Sequence, residues 1–387
     1  MNICFVDKYF PIDNNYDAGI GKYLSDLTSE LTERNKVTII TTSKKPRVIK
    51  KKNLTIYAIK YPSTKRESLN FLLHLLKIAI FLPKIINKEK IEIIEFANWE
   101  AEGFLFTLIP NRVLKNPVLI RLHTPSYLAH KFEEIKKPFS NKLKVVVESL
   151  FVNQEENFLT SSTNFHGTLC NRIYNLNKNI EIIPLGIKAR PQKKLITNNT
   201  KIINILYVGR LEKRKGIDIL IKAIPKVLKV VNNARFTIVG RENTKSDWLI
   251  DLRNSIQYKF LDRVYFLGYI NNLKTLDKLY QNSDICVIPS RYESFGLTVL
   301  DAMSYRKTVV ASKVGGIPEI ITDNKDGVLF NPDSPKELSA SLISICKNKS
   351  KRRFLSQNAY ETVKKKFSLN SLVNKTLIYY QSLANGK

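Results

Sequence analysis

The feature that most narrows the fold of this 387-residue chain is a rhythm that runs through it twice. Short β-branched and apolar runs alternate with longer stretches of helical periodicity. In the first block the strand-like runs are Ile3–Val6, Val37–Thr42, Leu54–Ile59, Ile91–Glu95, Val118–Leu122 and Ile180–Ile183, with helical patterns such as Gly21–Arg34 and Lys142–Glu156 between them. After Pro184-Leu185-Gly186 the rhythm restarts. Strand-like runs follow at Ile202–Val208, Phe236–Val239, Val264–Leu267, Ile285–Ile288, Thr308–Ala311 and Val328–Phe330, with helical patterns at Ile217–Val231, Leu273–Asn282 and Pro335–Lys347. Strand–helix alternation implies parallel sheets, because parallel neighbours need a crossover that is usually a helix. Two blocks imply two α/β domains, expected at residues 1–187 and 188–368 with the polar stretch Lys188–Lys201 as linker. A last helical pattern covers Leu369–Ser382. Open α/β sheets bind ligands at the carboxyl ends of their strands, so two such domains predict a ligand cleft between facing edges.

Charge bounds the partners. Lys and Arg outnumber Asp and Glu by 63 to 34, a net +29 spread over both blocks rather than held in one tail. That predicts anionic partners: phosphorylated small molecules, an anionic membrane surface or nucleic acid. Basic clusters stand at Lys44–Lys52, Lys347–Arg353 and Lys364–Lys366, yet aromatic residues do not interleave with them and no nucleic-acid module is recognisable, so nucleic acid is not expected. The cysteines, Cys4, Cys170, Cys286 and Cys346, have no CxxC spacing and point to a reducing, cytoplasmic compartment. The first residues, MNICFVDKYF, read as a strand rather than a signal-peptide core. Leu69–Ile86 is apolar on nearly every helical face but is interrupted by Lys77 and Pro83. It reads as a buried helix, with a helix lying in a membrane interface as the alternative.

Several turns could receive phosphate. Gly19-Ile20-Gly21-Lys22-Tyr23-Leu24 falls short of a dinucleotide fingerprint, since Leu24 replaces the third glycine and no acid ends the second strand. No P-loop pattern occurs. What remains is a loop, Asp17 to Gly21, opening a helix whose N–H groups could face an anion. In the second block, Val208-Gly209-Arg210-Leu211-Glu212-Lys213-Arg214-Lys215-Gly216 packs four cations into a strand-to-helix turn. A bare cluster would repel itself, and a bound diphosphate would relieve it. Further on, Glu293-Ser294-Phe295-Gly296-Leu297-Thr298-Val299-Leu300-Asp301 places two acids around the start of a helix, and Val314-Gly315-Gly316-Ile317-Pro318-Glu319 opens another.

At these residues the chain resembles the retaining, nucleotide-sugar-dependent glycosyltransferases of family 4, the glycogen-synthase-like group 1 transferases. GRLEKRKG resembles their diphosphate loop, ESFGLTVLDAM their Glu-x7-Glu signature, DAGIGKYLSDL their glycine loop and IPLGI their interdomain turn. The resemblance implies the GT-B fold, two Rossmann-like domains with parallel sheets facing across a cleft. The first domain would bind the acceptor and the second the donor, with the last helix returning to the first domain.

It also implies roles. Arg210 and Lys215 would neutralise the donor diphosphate, and Glu293 would contact the donor sugar. Ser294, Phe295, Gly296, Leu297 and Thr298 would wrap sugar and phosphates through their backbone. Asp301, in place of the usual Glu, would hold the ribose. Gly19 would face the diphosphate, His123 would sit beside the donor sugar, and Gly240, Gly268, Tyr269 and Ile270 would surround the base. Apart from the resemblance, the stretch Glu95 to Glu102 reads either as the lining of an acceptor pocket, with Trp99 stacking on a sugar face, or as an ordinary strand–helix turn with a buried tryptophan.

No Asp-x-Asp motif ends a strand, so no metal is expected. No cofactor is expected either, beyond the nucleotide-diphosphate sugar itself, UDP- or GDP-linked. The implied function is retaining sugar transfer to an acceptor hydroxyl in bacterial polysaccharide, glycolipid or lipid-linked glycan synthesis, in the cytoplasm or peripheral on the inner face of the membrane. Two alternatives share the fold, a sugar-nucleotide epimerase and an inactive subunit, and Asp301 leaves room for both.

Overall fold

The computed structural model describes residues 1–12, 19–109, 116–132, 139–190, 202–242, 247–256 and 258–386. Two compact units divide it. The first holds Met1–Leu185 together with Leu369–Lys387, and the second holds Gly186–Ser368. The division falls at the Pro184-Leu185-Gly186 turn. Of the linker expected at 188–201, residues 191–201 lie outside the described residues.

The first unit is built on an eight-stranded sheet: β1 (Asn2–Val6), β2 (Lys36–Thr42), β3 (Arg47–Lys51), β4 (Leu54–Ile59), β5 (Ile93–Ala97), β6 (Val118–Leu122), β7 (Phe158–Ser161) and β8 (Ile180–Ile182). Their spatial order is β3-β4-β2-β1-β5-β6-β7-β8. Every pair is parallel except β3 with β4, where Val48 lies opposite Tyr57. Sequence patterning missed β3, because RVIKK reads as part of a charge run. A lysine-rich edge strand is what an unpaired sheet edge needs to repel further strands. It also missed β7, whose Phe-Leu-Thr-Ser lacks an apolar run. The sheet's interior residues, among them Val6, Ile40, Ile94 and Ile120, share a core with the Glu67–Glu89 helix.

The second unit carries a wholly parallel six-stranded sheet: β9 (Ile203–Val208), β10 (Ala234–Val239), β11 (Val264–Gly268), β12 (Ile285–Ile288), β13 (Thr308–Ser312) and β14 (Val328–Phe330), in the order β11-β10-β9-β12-β13-β14. Strands buried on both faces need near-continuous apolar runs, which β9, β12 and β13 have. The Ile217–Val230 helix covers one face with Ile217, Leu220, Ile224 and Val227, all fully buried.

The last helix, Leu369–Asn385, belongs to the first unit. Its Tyr380 hydroxyl donates to Glu95 Oε2 at 2.5 Å inside the β1–β5–β6 region. Glu95 in turn receives Arg121 Nε at 2.8 Å and the second guanidinium arm at 3.2 Å. The parallel sheets and two-unit architecture are those of the GT-B class.

Candidate functional site

The order of the second sheet places its site. The chain lays β10 and β11 on one side of β9, then crosses to put β12, β13 and β14 on the other. The switch point therefore lies between β9 and β12, where a crevice forms at the carboxyl ends. The β9 loop carries Arg210 to Gly216, and the β12 loop carries Ser290 to Gly296.

These loops are locked together. Gly216 has φ +67°, and a Cβ there would lie 1.8 Å from the Pro289 carbonyl oxygen, so only glycine lets the β9 loop pass beneath the β12 loop. The Arg291 amide donates to the Arg214 carbonyl at 2.8 Å. The Arg291 guanidinium grips Asp218 in two bonds of 2.7 and 2.8 Å and reaches Asp333 at 2.6 Å. Across this joint, Lys215 Nζ donates to Glu293 Oε1 at 2.6 Å, and Ser290 Oγ donates to the same oxygen at 2.8 Å. Glu293 is buried. Burial alone would raise its pKa, but Lys215, Arg214 and these hydrogen bonds outweigh it and hold the carboxyl below its ordinary range. Burial pulls the Lys215 ammonium below its ordinary value, and Arg214 adds to this while Glu293 opposes it.

The cations of the β9 loop are not bare, which corrects the repulsion argument drawn from sequence. Glu212 pairs with Arg214 at 2.7 Å and with Arg210 at 3.3 Å, and Lys215 has Glu293. Intramolecular acids supply the relief that had been assigned to a diphosphate alone. Arg214 is buried, while the Arg210 side chain stays 41% exposed at the loop's surface.

The remaining second-unit candidates spread along the same carboxyl edge. Phe295 turns its ring inward against Phe367, 6.0 Å between centroids, so only its backbone is left to face a ligand. Gly296, at φ +119°, caps the Leu297–Ser304 helix, which starts at Leu297 and contains Thr298 in its first turn. Ser294 stands just before it, half-buried. Asp301 lies in the second turn, and its charge helps raise the pKa of Tyr280, Cys286 and Tyr305, which places it toward the stacked Tyr280–Tyr305 rings.

Gly240 follows β10, and a Cβ there would lie 1.8 Å from the Gly209 carbonyl oxygen. That close approach of two strand-end turns is what fixes glycine at this position. The Gly240 amide donates to the Gly268 carbonyl at 2.9 Å, tying the β10 and β11 turns. Beyond it the Arg241 guanidinium lies 4.2 Å over the exposed Tyr269 ring, with half-buried Ile270 alongside in sequence. Sequence reasoning missed Arg241 and Ser290. Each stands two residues past the end of its strand, a position that could have flagged them.

The first unit has the same construction, with its switch point between β1 and β5. Lys8 after β1 pairs with Glu100 after β5, and Lys144 joins Glu100 at 3.5 Å. Glu100 (φ 60°) and Ala101 (φ 45°) hold left-handed backbone without being glycine, a strain that persists only where surroundings enforce it. Trp99 Nε1 donates to the Tyr9 hydroxyl at 3.2 Å, which fixes the edge of the half-buried indole. Asp7 is buried, and burial pushes its pKa to about 7, with Glu102 adding to the rise.

His123 follows β6. Its amide donates to Asn98 Oδ1 at 2.6 Å, and Asn98 Nδ2 donates to buried Glu148 at 2.6 Å, so a polar network fixes the turn. Burial, with Arg121 and His166, lowers the imidazole pKa to about 3, which makes it a neutral ring. Tyr23 approaches it edge-on at 6.5 Å, and both line a small cavity with Asp7, Glu95 and Arg121. Gly19 lies inside the Gly19–Leu31 helix, not in a loop before it, and Asp17 and Ala18 fall outside the described residues.

Comparison with known proteins agrees with the fold. The sucrose-phosphate synthase of Thermosynechococcus elongatus superposes with a TM-score of 0.81 over the whole of both chains, at 21% identity. Anabaena Alr3699/HepE, solved in complex with UDP and glucose, superposes with a TM-score of 0.74 at 16% identity, covering 99% of this chain and all of its own. More particularly, residues 188–362, within the second unit, match the family described as Glycosyl transferases group 1. A stretch of 177 residues, 46% of this chain and 44% of that one, is 37% identical to the uncharacterized glycosyltransferase MJ1607 of Methanocaldococcus jannaschii. The chain spans about half the length of the curated relatives it matches.

Proposed function

We propose that the protein transfers a sugar from a nucleoside diphosphate sugar to an acceptor hydroxyl, with retention of anomeric configuration and without a metal ion. The observation that carries this reading is the pairing of half-buried Lys215 with buried Glu293 at the second sheet's switch point, inside the stretch that matches the group 1 family. Departure of the nucleotide develops negative charge on its diphosphate. Lys215 and the outward Arg210 are positioned to meet that charge, with the N–H groups opening the Leu297–Ser304 helix beside them. Glu293 serves the sugar end. Its Oε1 already accepts hydrogen bonds from Lys215 and Ser290, which suits an orienting carboxylate more than an attacking one. Front-side displacement therefore suits it better than a glycosyl-enzyme.

UDP is the first nucleotide to test, because the fold neighbour HepE was solved with it. The Arg241–Tyr269 stack offers a face to the base. The polar cluster of Lys8, Glu100 and Lys144 offers groups that bind sugar hydroxyls, so we assign the acceptor to the first unit. We assign the reaction to polysaccharide or glycolipid synthesis on the cytoplasmic side of a membrane.

Thermal-shift measurements with UDP, GDP, ADP and their sugars test the donor site. One base class should stabilise the wild type, by roughly 2.7 kcal/mol at about 100 times its Kd. Arg210→Ala and Lys215→Ala should lose that gain and fall at least about a hundredfold in turnover. Wild-type turnover in both variants, or full loss of activity in EDTA, contradicts the reading.

A further inference from the structure

The Glu67–Glu89 helix carries more apolar surface than the fold uses. Its inner face, with Phe71, Leu75, Ile78, Leu82, Ile85 and Ile86, is buried in the first unit's core. The outer face of such a helix is ordinarily polar. Here Leu69, Leu72, Leu73, Leu76 and Ile80 stand exposed in one stripe at helical spacing, Leu76 at 48% and Ile80 at 57%. Phe81 joins Leu73, Leu76 and Ile80 in a shallow groove flanked by Lys77 and Lys84.

Cations rim the stripe. Lys65 and Arg66 are exposed just before the helix, and Lys84 and Lys88 in its last two turns. Its two acids are engaged: Glu67 receives Lys144 at 2.9 Å and Glu89 receives the Tyr57 hydroxyl at 2.5 Å. The edge strand extends the surface. The Tyr57 ring meets Phe81 of the helix at 5.9 Å, and Val48 lies opposite Tyr57 in the sheet. Directly opposed residues share a face, as do residues two apart, so exposed Val48 and Lys50 lie on the helix's side.

We propose that this face docks on an anionic lipid bilayer. The helix lies parallel to the surface, its leucines among the acyl chains and its lysines at the headgroup phosphates. Charge selects this occupant. A second copy of a chain carrying +29 would bring its own excess of cations against Lys50, Lys84 and Lys88, whereas an anionic surface neutralises them. By length and composition, with a mean hydropathy of 1.8, the helix could span a membrane. Its inner face, however, belongs to the core, and His74 meets Glu102 at 2.6 Å inside the unit, so it lies on the bilayer instead.

Vesicle flotation of the full chain tests this, using phosphatidylcholine alone or mixed with phosphatidylglycerol, at low and high salt. The wild type should float with the anionic vesicles at low salt and detach as salt screens them. A Leu72→Gln, Leu76→Gln, Ile80→Gln variant should bind at least about tenfold more weakly. A Lys50→Glu, Lys84→Glu variant should lose binding at low salt. Both should keep the wild-type melting temperature, because all five side chains are exposed. Three results overturn the proposal: glutamine variants that float like the wild type, a wild type indifferent to anionic lipid, or a wild-type dimer that the glutamines split without any vesicle binding. No readout involves sugar transfer, so failure here leaves the proposed reaction standing, and an inactive chain that still floats separates the two.

Discussion

Glu293 and Lys215 show how single residues here depend on partners far away in the chain. Glu293 is buried and Lys215 half-buried, and each is stabilised in its charged form by the other. Glu148 is the contrasting case. It accepts from Asn98, Tyr174 and the Ser126 amide, yet burial still raises its pKa from 4.5 to about 7. Its folded pKa lies above its unfolded one, so its contribution to stability is complete below about pH 4.5 and is lost as pH rises toward 7. Glu148→Gln removes this titration. The stability of the wild type relative to the variant should therefore shrink by up to roughly 3 kcal/mol as pH rises through that window. Urea melts of both at successive pH values check it, and a pH-independent difference refutes it. His123, held neutral by burial and by Arg121 and His166, should add no inflection to the activity profile above about pH 5.

At the scale of elements, the Glu67–Glu89 helix divides its leucines between two jobs. Leu75 is fully buried against the sheet, and its neighbour Leu76 is 48% exposed. Leu75→Ala should cost about 2–5 kcal/mol through lost burial and the cavity left behind. Leu76→Ala should stay within about 0.5 kcal/mol. Denaturant midpoints measure both, and equal costs would mean the outer face is packed. The strand–helix elements were largely legible in the sequence, since period and apolar run length are local properties. Leu54–Ile59, Val118–Leu122, Ile285–Ile288 and Leu273–Asn282 form as the pattern predicts. The strand read at Ile91–Glu95 forms two residues later, at Ile93–Ala97, and the helix read from Gly21 starts at Gly19. The strand β3 was illegible because its lysines serve an edge, and edges are defined only by the assembled sheet.

For the whole molecule, chain order and unit membership part company. Gly186–Ser368 is one continuous segment, with the Ile187 amide bonded to the Phe367 carbonyl at 2.9 Å to close its two ends. It should fold when expressed alone, with amide exchange protection in β9, β12 and β13 like that of the intact chain. The first unit needs both ends of the chain. A chain ending at Ser368 lacks Tyr380, leaving buried Glu95 one donor short and a helix docking face bare. Hydrogen exchange should then rise in β1, β5 and β6 while the second unit keeps its protection, and uniform exchange across both units would contradict the division.

The amino-acid sequence by itself determined two largely parallel sheets and the loops of the candidate site, because strand period, helix period and glycine turns are written into neighbouring residues. It carried Arg210, Lys215, Glu293 and His123 as candidates through the order of their motifs. Only the tertiary structure decided that Lys215 spends its charge on Glu293, 78 residues away, that Glu212 quiets the basic loop, and that one apolar face of the Glu67–Glu89 helix stays outside. Ion pairs and burial are set by what the folded chain brings within a few ångströms, and no local pattern encodes that distance.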